Sequence, residues 1–456
     1  MKSNFKITRL FPKINNEPFS KTEVIILVST LIVLICATLL CFEFQPQLEK
    51  LRETYLNTVL GTIFLYTTTF ILLLNIGFLL FNIVLYFIYK QAKSTTDTDA
   101  PTCTVLVPAY NEGSLVYETL VSIAKSDYPL HKFKIIAIDD GSKDDTWAWM
   151  KKAKIELGDL ITLHQQPKNM GKREALYYGF KHAEGEIIVT IDSDSIIDKN
   201  TLRNLVSPFV INPNCGAVAG NVKVLNTRNA IIPKMLNVSF AFSFEFIRSA
   251  QSALGSVFCT PGALAAYRKD VIHKIMEPWM SQTFMGKPSD IGEDRAITNM
   301  ILKEGHEVLF QKNAIVYTNI PERYKNLYKM LIRWERSNVR ETIMMTKFAF
   351  TNFREGSKVG TRIILIDEWL KILLSIPLII TLLILLITFP LLTIITTLAG
   401  ILIFSSIQML FFAKNHSIYH SLWAYPYSIF YAFSLFWITP YSIITVRKGG
   451  WLTRGL

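Results

Sequence analysis

The sequence predicts an α/β domain, built on a mostly parallel sheet with helices on both faces and embedded between transmembrane helices. Half of the 456 residues are hydrophobic, more than a soluble chain of this length usually contains. Apolar runs long enough to cross a bilayer lie near both ends of the chain. Between them, short apolar runs alternate with longer mixed segments, which is the pattern of buried parallel strands connected by helices.

The first part of the chain predicts a basic tail, residues 1–21, followed by two transmembrane helices within residues 22–90. The apolar runs 24–42 and 59–89 are each long enough to cross a bilayer, and a polar loop joins them. Because segments rich in lysine and arginine stay in the cytoplasm, we expect the amino terminus to lie inside. A polar linker, 91–101, then leads into the α/β domain.

We place the α/β domain at residues 102–346, in the cytoplasm, and expect interfacial helices over 347–371. Three or four transmembrane segments follow within 372–446, with a break at Pro390. Three segments would leave the basic tail 447–456 outside, against the positive-inside tendency, so hydropathy leaves both five and six spans open. The expected location is the plasma (inner) membrane.

The net charge of +12 and the five cysteines restrict the class of protein. In a membrane protein, an excess of lysine and arginine is explained by cytoplasmic loops. Attraction to a phosphate-bearing substrate is compatible with that explanation, and we expect no nucleic-acid partner. The cysteines are odd in number, and no pair has metal-ligand spacing, so neither a disulfide framework nor a zinc site is predicted.

Two pairs of acidic residues end predicted strands, where ligands bind in an open α/β sheet. Asp139 and Asp140 end the run KIIAIDD and can accept hydrogen bonds from a base or a ribose, although DDGS is also a common turn sequence. Asp192 and Asp194 end the run EIIVTIDSD. In an extended chain their alternate spacing puts both carboxylates on one side. Two carboxylates beside a substrate diphosphate suit Mg²⁺ or Mn²⁺.

Charged side chains also open predicted helices. Lys172 and Arg173 oppose the helix dipole unless an anion lies there, so Lys172 predicts a diphosphate site, whereas Arg173 also fits a solvated basic turn. Asp294 opens another helix, either as its N-terminal acid or as a general base for a sugar hydroxyl. Arg333 and Trp334 can clamp a diphosphate and stack on a sugar, or anchor the helix at the membrane.

Taken in order, these motifs resemble the processive inverting glycosyltransferases of family two, which have the GT-A fold, and among them the hyaluronan synthase and chitin synthase type. The resemblance covers residues 104–341 and rests on PAYNE, DDGS, NMGKREAL, DSDS, GAVAGNV, AQSALGSVFCTPGALAAYR, GEDR and RWERSNVRE, with WLTRG in the tail. One departure is Met330, which stands where the family's QxxRW motif has glutamine. The substitution removes an amide from the expected site.

The resemblance implies a role for each matching residue. Asp139, Asp140, Lys172, Asp192 and Arg333 would bind the donor, Asp192 and Asp194 the metal, and Trp334, Cys259 and Gly262 the acceptor, with Asp294 the catalytic base.

The resemblance also implies a function. The chain would polymerise sugar from UDP-N-acetylglucosamine, with or without UDP-glucuronate, using Mg²⁺ or Mn²⁺, and would extrude the growing polysaccharide through the bilayer. Two alternatives stay open. One is transfer of a single sugar to a lipid-linked acceptor. The other is a non-catalytic subunit that binds a nucleotide or supports glycan export, which only Met330 favours. A homo-oligomer or an export partner is compatible with each of these functions.

Overall fold

The computed structural model describes residues 19–449, so the predicted basic amino-terminal tail and the WLTRG motif lie outside the described residues, apart from the end of that tail. The α-helices are α1 (Lys21–Glu43), α2 (Gln45–Leu56), α3 (Val59–Ile88), α4 (Leu115–Ala124), α5 (Thr146–Leu157), α6 (Lys172–His182), α7 (Thr201–Ile211), α8 (Ile231–Phe240), α9 (Arg248–Ser252), α10 (Lys269–Met280), α11 (Glu293–Lys303), α12 (Tyr324–Ala349), α13 (Val359–Thr388), α14 (Pro390–Asn415), α15 (Ile418–Ser421), α16 (Ala424–Phe430) and α17 (Ile438–Ile444). A π-helical segment, Ala241–Ile247, joins α8 to α9, and another, Tyr431–Leu435, follows α16.

The strands are β1 (Cys103–Ala109), β2 (Phe133–Asp139), β3 (Ile161–Gln165), β4 (Ile187–Ile191), β5 (Ile196–Ile197), β6 (Cys215–Val224), β7 (Leu264–Arg268), β8 (Thr283–Phe284), β9 (Lys287–Pro288) and β10 (Glu307–Thr318). Eight of them form one sheet in the order β3-β2-β1-β4-β7-β6-β10-β5. The pairings β3–β2, β2–β1, β1–β4 and β6–β10 are parallel, whereas β7 is antiparallel to both its neighbours and β5 to β10. The predicted mostly parallel sheet is confirmed.

Helices cover both faces of this sheet, as the sequence predicts. Successive residues of a strand point to opposite faces, and Val105 and Leu106 of β1 accordingly belong to two different apolar clusters. The helices α4, α5 and α7 pack on the face of Val105, and α6, α10 and α11 on the face of Leu106. The two-sided burial explains why these strands are continuous apolar runs.

Four helices are long and apolar enough to cross a membrane: α1, α3, α13 and α14. Two of the segment boundaries expected from the sequence differ from those in the structure. The segment 43–57, expected as a loop, forms α2, whose first turn contains Pro46, a residue favoured at a helix start. Moreover, α13 continues without a break through the expected boundary at 371. Its first turns pack on α12, where Trp369 Nε1 donates to Thr346 Oγ1 at 2.7 Å, rather than forming a separate interfacial helix.

The segment from α15 to α17 is bent by 40° between Leu435 and Ile438, and both of its ends contact the α/β domain. At its start, Lys312 Nζ of β10 donates to Asn415 Oδ1 at 3.1 Å. At its end, Arg340 Nε of α12 donates to the Val446 carbonyl at 2.8 Å. Within residues 19–449 the structure has four helices that could cross a membrane, or five if this bent segment is also one span. The Lys448 carbonyl after α17 accepts from Arg340 Nη2 at 3.0 Å, so the residues that follow α17 lie beside α12.

The membrane helices and the α/β domain meet at a buried ionic junction around Glu245, whose side chain is 2% exposed. Its carboxylate lies 3.2 Å from His416 Nε2, 3.6 Å from Lys223 Nζ and 3.8 Å from Lys312 Nζ, and it accepts from Asn221 Nδ2 at 3.1 Å. Burial raises the pKa of Glu245, but the contacts with His416, Lys223 and Asn221 lower it by more than burial raises it. The pKa is therefore lowered to about 2. The carboxylate is therefore charged, and it holds groups from β6, β10 and the residue after α14 together.

Candidate active site

The predicted acidic residues lie at one edge of the sheet. Because β2 and β4 flank β1 and all three are parallel, their carboxyl ends meet there. Asp139 ends β2, and Asp192 directly follows β4. The edge is the usual ligand position in an open α/β sheet.

Asp139 and Asp140 are both almost completely buried, at 0% and 1% exposed. Asp139 accepts from the Ser142 amide at 3.1 Å and from Gln165 Nε2 at 2.9 Å. Asp140 accepts from the amides of Met170 and Gly171 at 2.7 and 2.9 Å. Asp140 therefore fixes the loop that leads into α6, and both carboxylates shape the site through the backbone.

Lys172 is the first residue of α6 and lies between two carboxylates. Its side chain is only 12% exposed; Nζ donates to Asp192 Oδ1 and lies 3.4 Å from Glu293 Oε1. Burial lowers the pKa of Lys172, but the two carboxylates outweigh it and raise the pKa above its ordinary value. A cation so placed is charged and can bind a diphosphate.

Arg173 does not share this site. It is buried at 9% exposed; Nη1 donates to the Trp279 carbonyl at 2.5 Å, and the guanidinium carbon lies 4.8 Å from the centre of the Trp279 ring. The solvated basic turn considered for Arg173 is therefore wrong. Adjacent residues on a helix point in different directions, so Arg173 packs beneath the site while Lys172 enters it.

Asp192 and Asp194 are both partly exposed at the end of β4. The prediction from the alternating spacing assumed an extended chain here, but the chain is not extended. Ser193 and Asp194 form a turn, closed by the Ser195 amide donating to the Asp192 carbonyl at 3.1 Å. Within residues 19–449 no group of three or more His, Cys, Asp or Glu side chains is placed to hold a metal. The two aspartates still fit a hard cation whose remaining ligands are diphosphate oxygens and water.

Asp294 lies in the first turn of α11, next to Glu293. Gly292 precedes them with φ of +76°, and a β-carbon there would overlap the Ser337 hydroxyl, so glycine alone fits this turn. Asp294 accepts from the Arg295 amide at 2.8 Å and from Cys259 Sγ at 3.6 Å. Burial and the neighbouring Glu293 carboxylate raise the pKa of Asp294. A carboxylate with a raised pKa is a better proton acceptor.

The loop before β7 brings Cys259 and Gly262 to the same place. Burial and the carboxylate of Asp294 raise the pKa of Cys259 to about 12, so it is a neutral thiol that donates to Asp294. Gly262 lies against Lys172, with an added β-carbon 2.6 Å from Nζ. Cys259 thus contacts Asp294, the predicted base, and Gly262 contacts Lys172, the predicted diphosphate ligand.

Arg333 and Trp334 are adjacent residues of α12. Burial raises the pKa of Glu293, but nearby groups, among them Lys172 and Arg333, outweigh burial and lower the pKa below its ordinary value. Arg333 therefore lies near the carboxylates of Glu293 and Asp294. The Trp334 side chain is 40% exposed, and its ring centre is 6.0 Å from that of Phe240. An exposed indole of this kind is available for stacking on a ligand.

Met330 is part of an apolar cluster and not part of this polar site. It is 7% exposed and packs with Leu236 of α8, Leu327 of α12, and Leu435 and Ile438 of the bent segment. An amide in that position would lack the water it needs. The local apolar surroundings therefore explain why methionine fits at this position.

Sequence reasoning did not single out Glu293, although it contacts Lys172 directly. Only its position beside Asp294 could have indicated it. The residues that pack beneath the site could not be predicted, because nothing in the sequence indicates that they meet; they are Trp279, Gln282 and Glu341.

The fold is that of a GT-A-type domain, with helices that could cross a membrane on either side of it in the sequence. Residues 100–337 match the family described as "Glycosyltransferase like family 2". The match covers just over half of the chain. The chain therefore belongs to glycosyltransferase family 2.

The chain is similar to an N-acetylglucosaminyltransferase of Rhizobium meliloti, with 31% identity over 245 residues, 54% of this chain and 57% of that protein. It is also similar to a hyaluronan synthase of Streptococcus pyogenes, with 29% identity over 282 residues, 61% of this chain and 66% of that protein. Each match thus leaves at least a third of the relative's length unmatched.

A mannosyltransferase from Pyrobaculum calidifontis, solved with GDP-mannose and Mn²⁺, superimposes with a TM-score of 0.54 at 22% identity, over 78% of this chain and 97% of that one. This likeness shows the fold.

Proposed function

We propose that the chain is a processive inverting β-glycosyltransferase that polymerises sugar from UDP-N-acetylglucosamine and extrudes the polysaccharide through the membrane. The observation that carries the proposal is the position of Lys172, between Asp192 at the end of β4 and Glu293 at the start of α11. It joins the donor side of the site to the helix that carries the base, Asp294.

The donor side needs groups that hold a nucleoside diphosphate and neutralise its charge. In the proposal, Asp139 and Asp140 shape the uridine pocket, and Lys172 and Arg333 bind the diphosphate. Asp192 and Asp194 would hold Mg²⁺ or Mn²⁺, and the bound metal supplies charge neutralisation of the leaving UDP. The partial exposure of both aspartates leaves room for the other ligands.

Asp294 acts on the acceptor. It takes the proton from the acceptor hydroxyl as that oxygen attacks C1 of the donor sugar from the face opposite UDP. The bond between the acceptor oxygen and C1 forms while the bond between C1 and the diphosphate oxygen breaks, and UDP leaves with that electron pair. One displacement of this kind inverts the anomeric configuration, which is why a single base suffices.

The acceptor would stack on Trp334, which is 40% exposed, with Cys259 and Gly262 beside its reacting end. Stacking on an indole holds a sugar without fixing its chemical identity at every position. A polymer held this way can stay bound between additions and pass to the four membrane helices. The α/β domain would be cytoplasmic and the helices in the plasma membrane, because Lys90, Lys93 and the residues after α17 then lie inside.

The relatives named N-acetylglucosaminyltransferase and hyaluronan synthase support N-acetylglucosamine as the donor sugar. The test is product size after incubation with labelled UDP-N-acetylglucosamine, alone and with UDP-glucuronate. A long polymer from either incubation supports the proposal, and the requirement for the second donor decides between a homopolymer and a hyaluronan-type product. A single lipid-linked sugar would contradict processivity, and no incorporation would contradict the enzyme activity.

A further inference from the structure

A buried polar network lies beneath the candidate site, behind Lys172 and Glu293. Its first member is Arg173, which follows the diphosphate lysine on α6. The guanidinium donates to the Trp279 carbonyl at 2.5 Å and to Gln282 Oε1 at 3.3 and 3.4 Å. The first turn of α6 is therefore attached to the end of α10.

The second member, Trp279, reaches the other half of the site. Its ring is fully buried, and the indole Nε1 donates to the main-chain carbonyl of Glu293 at 3.1 Å. Glu293 is the first residue of α11 and directly precedes Asp294. One residue thus contacts the start of α6 through its carbonyl and the start of α11 through its side chain.

The network continues to α12, the helix that carries Arg333. Gln282 Nε2 donates to Glu341 Oε1 at 3.0 Å, and Asn299 Nδ2 of α11 donates to Glu341 Oε2 at 2.9 Å. Glu341 is 2% exposed and Gln282 8%. Buried groups that hydrogen-bond one another in this way restrain one another, and here they connect the three helices that carry the candidate site residues.

We propose that Trp279 is a positioning residue that holds Asp294 at a fixed place relative to Lys172. The inference rests on the proposed function. A reacting group displaced by about 1 Å can lose much of its rate, and without the indole N–H the Glu293 peptide loses the bond that orients it. Trp279→Phe removes that N–H but keeps a six-membered aromatic ring and the main-chain carbonyl that accepts from Arg173. The base side of the site is then disturbed while the lysine side is kept.

The effect to expect is therefore a loss in kcat without a loss in donor binding. In UDP-release assays with UDP-N-acetylglucosamine, we expect Trp279→Phe to lower kcat about tenfold while the donor KM and the Kd for UDP stay within about twofold. The matched control is Tyr128→Phe, which removes a buried hydroxyl bonded to the Pro101 carbonyl, far from the site. The control is expected to keep kcat, which separates positioning from general loss of stability.

Should Trp279→Phe not fold, Trp279→Met serves instead. Methionine fills irregular apolar space without supplying an N–H to the Glu293 carbonyl, and the same selective fall in kcat is expected. Unchanged kcat, or a change in KM alone, would overturn the inference while wild-type turnover still supports the enzyme. A wild-type protein without turnover would contradict the proposed function, and with it the inference that rests on it.

Discussion

The ammonium group of Lys172 lies directly against Gly262, so that a β-carbon at position 262 would come within 2.6 Å of Nζ. We expect Gly262→Ala to displace the ammonium group and to raise the donor KM about tenfold. The fold should be unaffected, because the clash is with the mobile end of a side chain. Steady-state UDP release and thermal unfolding measure the two effects.

The control for this variant is Gly356→Ala, since no atom lies within 4 Å of a β-carbon at that position. It should leave both KM and the unfolding temperature unchanged. If Gly262→Ala retains the wild-type KM, Lys172 does not bind the donor.

The pKa of Asp294 is raised by burial and by Glu293, and a base works only when deprotonated. Turnover should therefore fall as pH decreases, with an apparent pKa above the ordinary value of about 4 for aspartate. The kcat/KM profile of the free enzyme measures it. A profile that stays flat down to about pH 4 would be inconsistent with Asp294 as the base.

The same raised pKa has a consequence for stability. The folded state favours the protonated carboxyl, so this group stabilises the fold at low pH and the stabilisation is lost as pH rises through the folded pKa. At neutral pH, Asp294→Asn should abolish turnover without lowering the unfolding temperature. Loss of activity together with a lower unfolding temperature would indicate a structural role instead.

Met330→Gln would restore the glutamine of the QxxRW motif but place its amide in an apolar cluster. The amide would find no hydrogen-bond partner among these apolar side chains. We therefore expect the free energy of unfolding to fall by about 1–3 kcal/mol and kcat not to rise. Unfolding in denaturant and UDP release measure both. A more active variant would show that the side chain at 330 reaches the site.

Glu245 should stabilise the protein above the ordinary glutamate pKa of 4.5, and the stabilisation should be lost as pH falls towards its lowered pKa of about 2. Glu245→Gln leaves the partly buried Lys223 and Lys312 without their carboxylate, at a cost of about 3 kcal/mol at neutral pH. Unfolding temperature against pH measures both effects. The exposed Glu184, in a 4.0 Å pair with Lys134, is the control; equal effects of the two Glu→Gln changes would exclude a special role for the junction.

Most of the fold could be predicted because its signals are local. Continuous apolar runs such as those of β1 and β4 indicate buried strands, and Pro390 marks the break between α13 and α14. The number of spans could not be predicted from the sequence, since the segment from α15 to α17 is apolar enough to cross but is bent. Where its ends lie depends on contacts with Lys312 and Arg340, which come from distant parts of the chain.

The site was predictable where residues follow strands or open helices. Asp192, Lys172 and Asp294 meet as expected because sheet topology brings those positions to one edge. The contacts of Arg173 and Met330 could not be predicted from the sequence. Arg173 packs on Trp279 and Met330 on Leu435, and both partners are about 100 residues away in the chain.

UDP release from UDP-N-acetylglucosamine by the purified protein in nanodiscs decides whether Asp192, Asp194, Lys172 and Asp294 form one glycosyl-transfer site. We expect release that requires Mg²⁺ or Mn²⁺, is abolished by chelation, and is lost in Asp294→Asn, which still binds UDP. Equal release by wild type and Asp294→Asn, or no release with any UDP-sugar, would contradict this expectation.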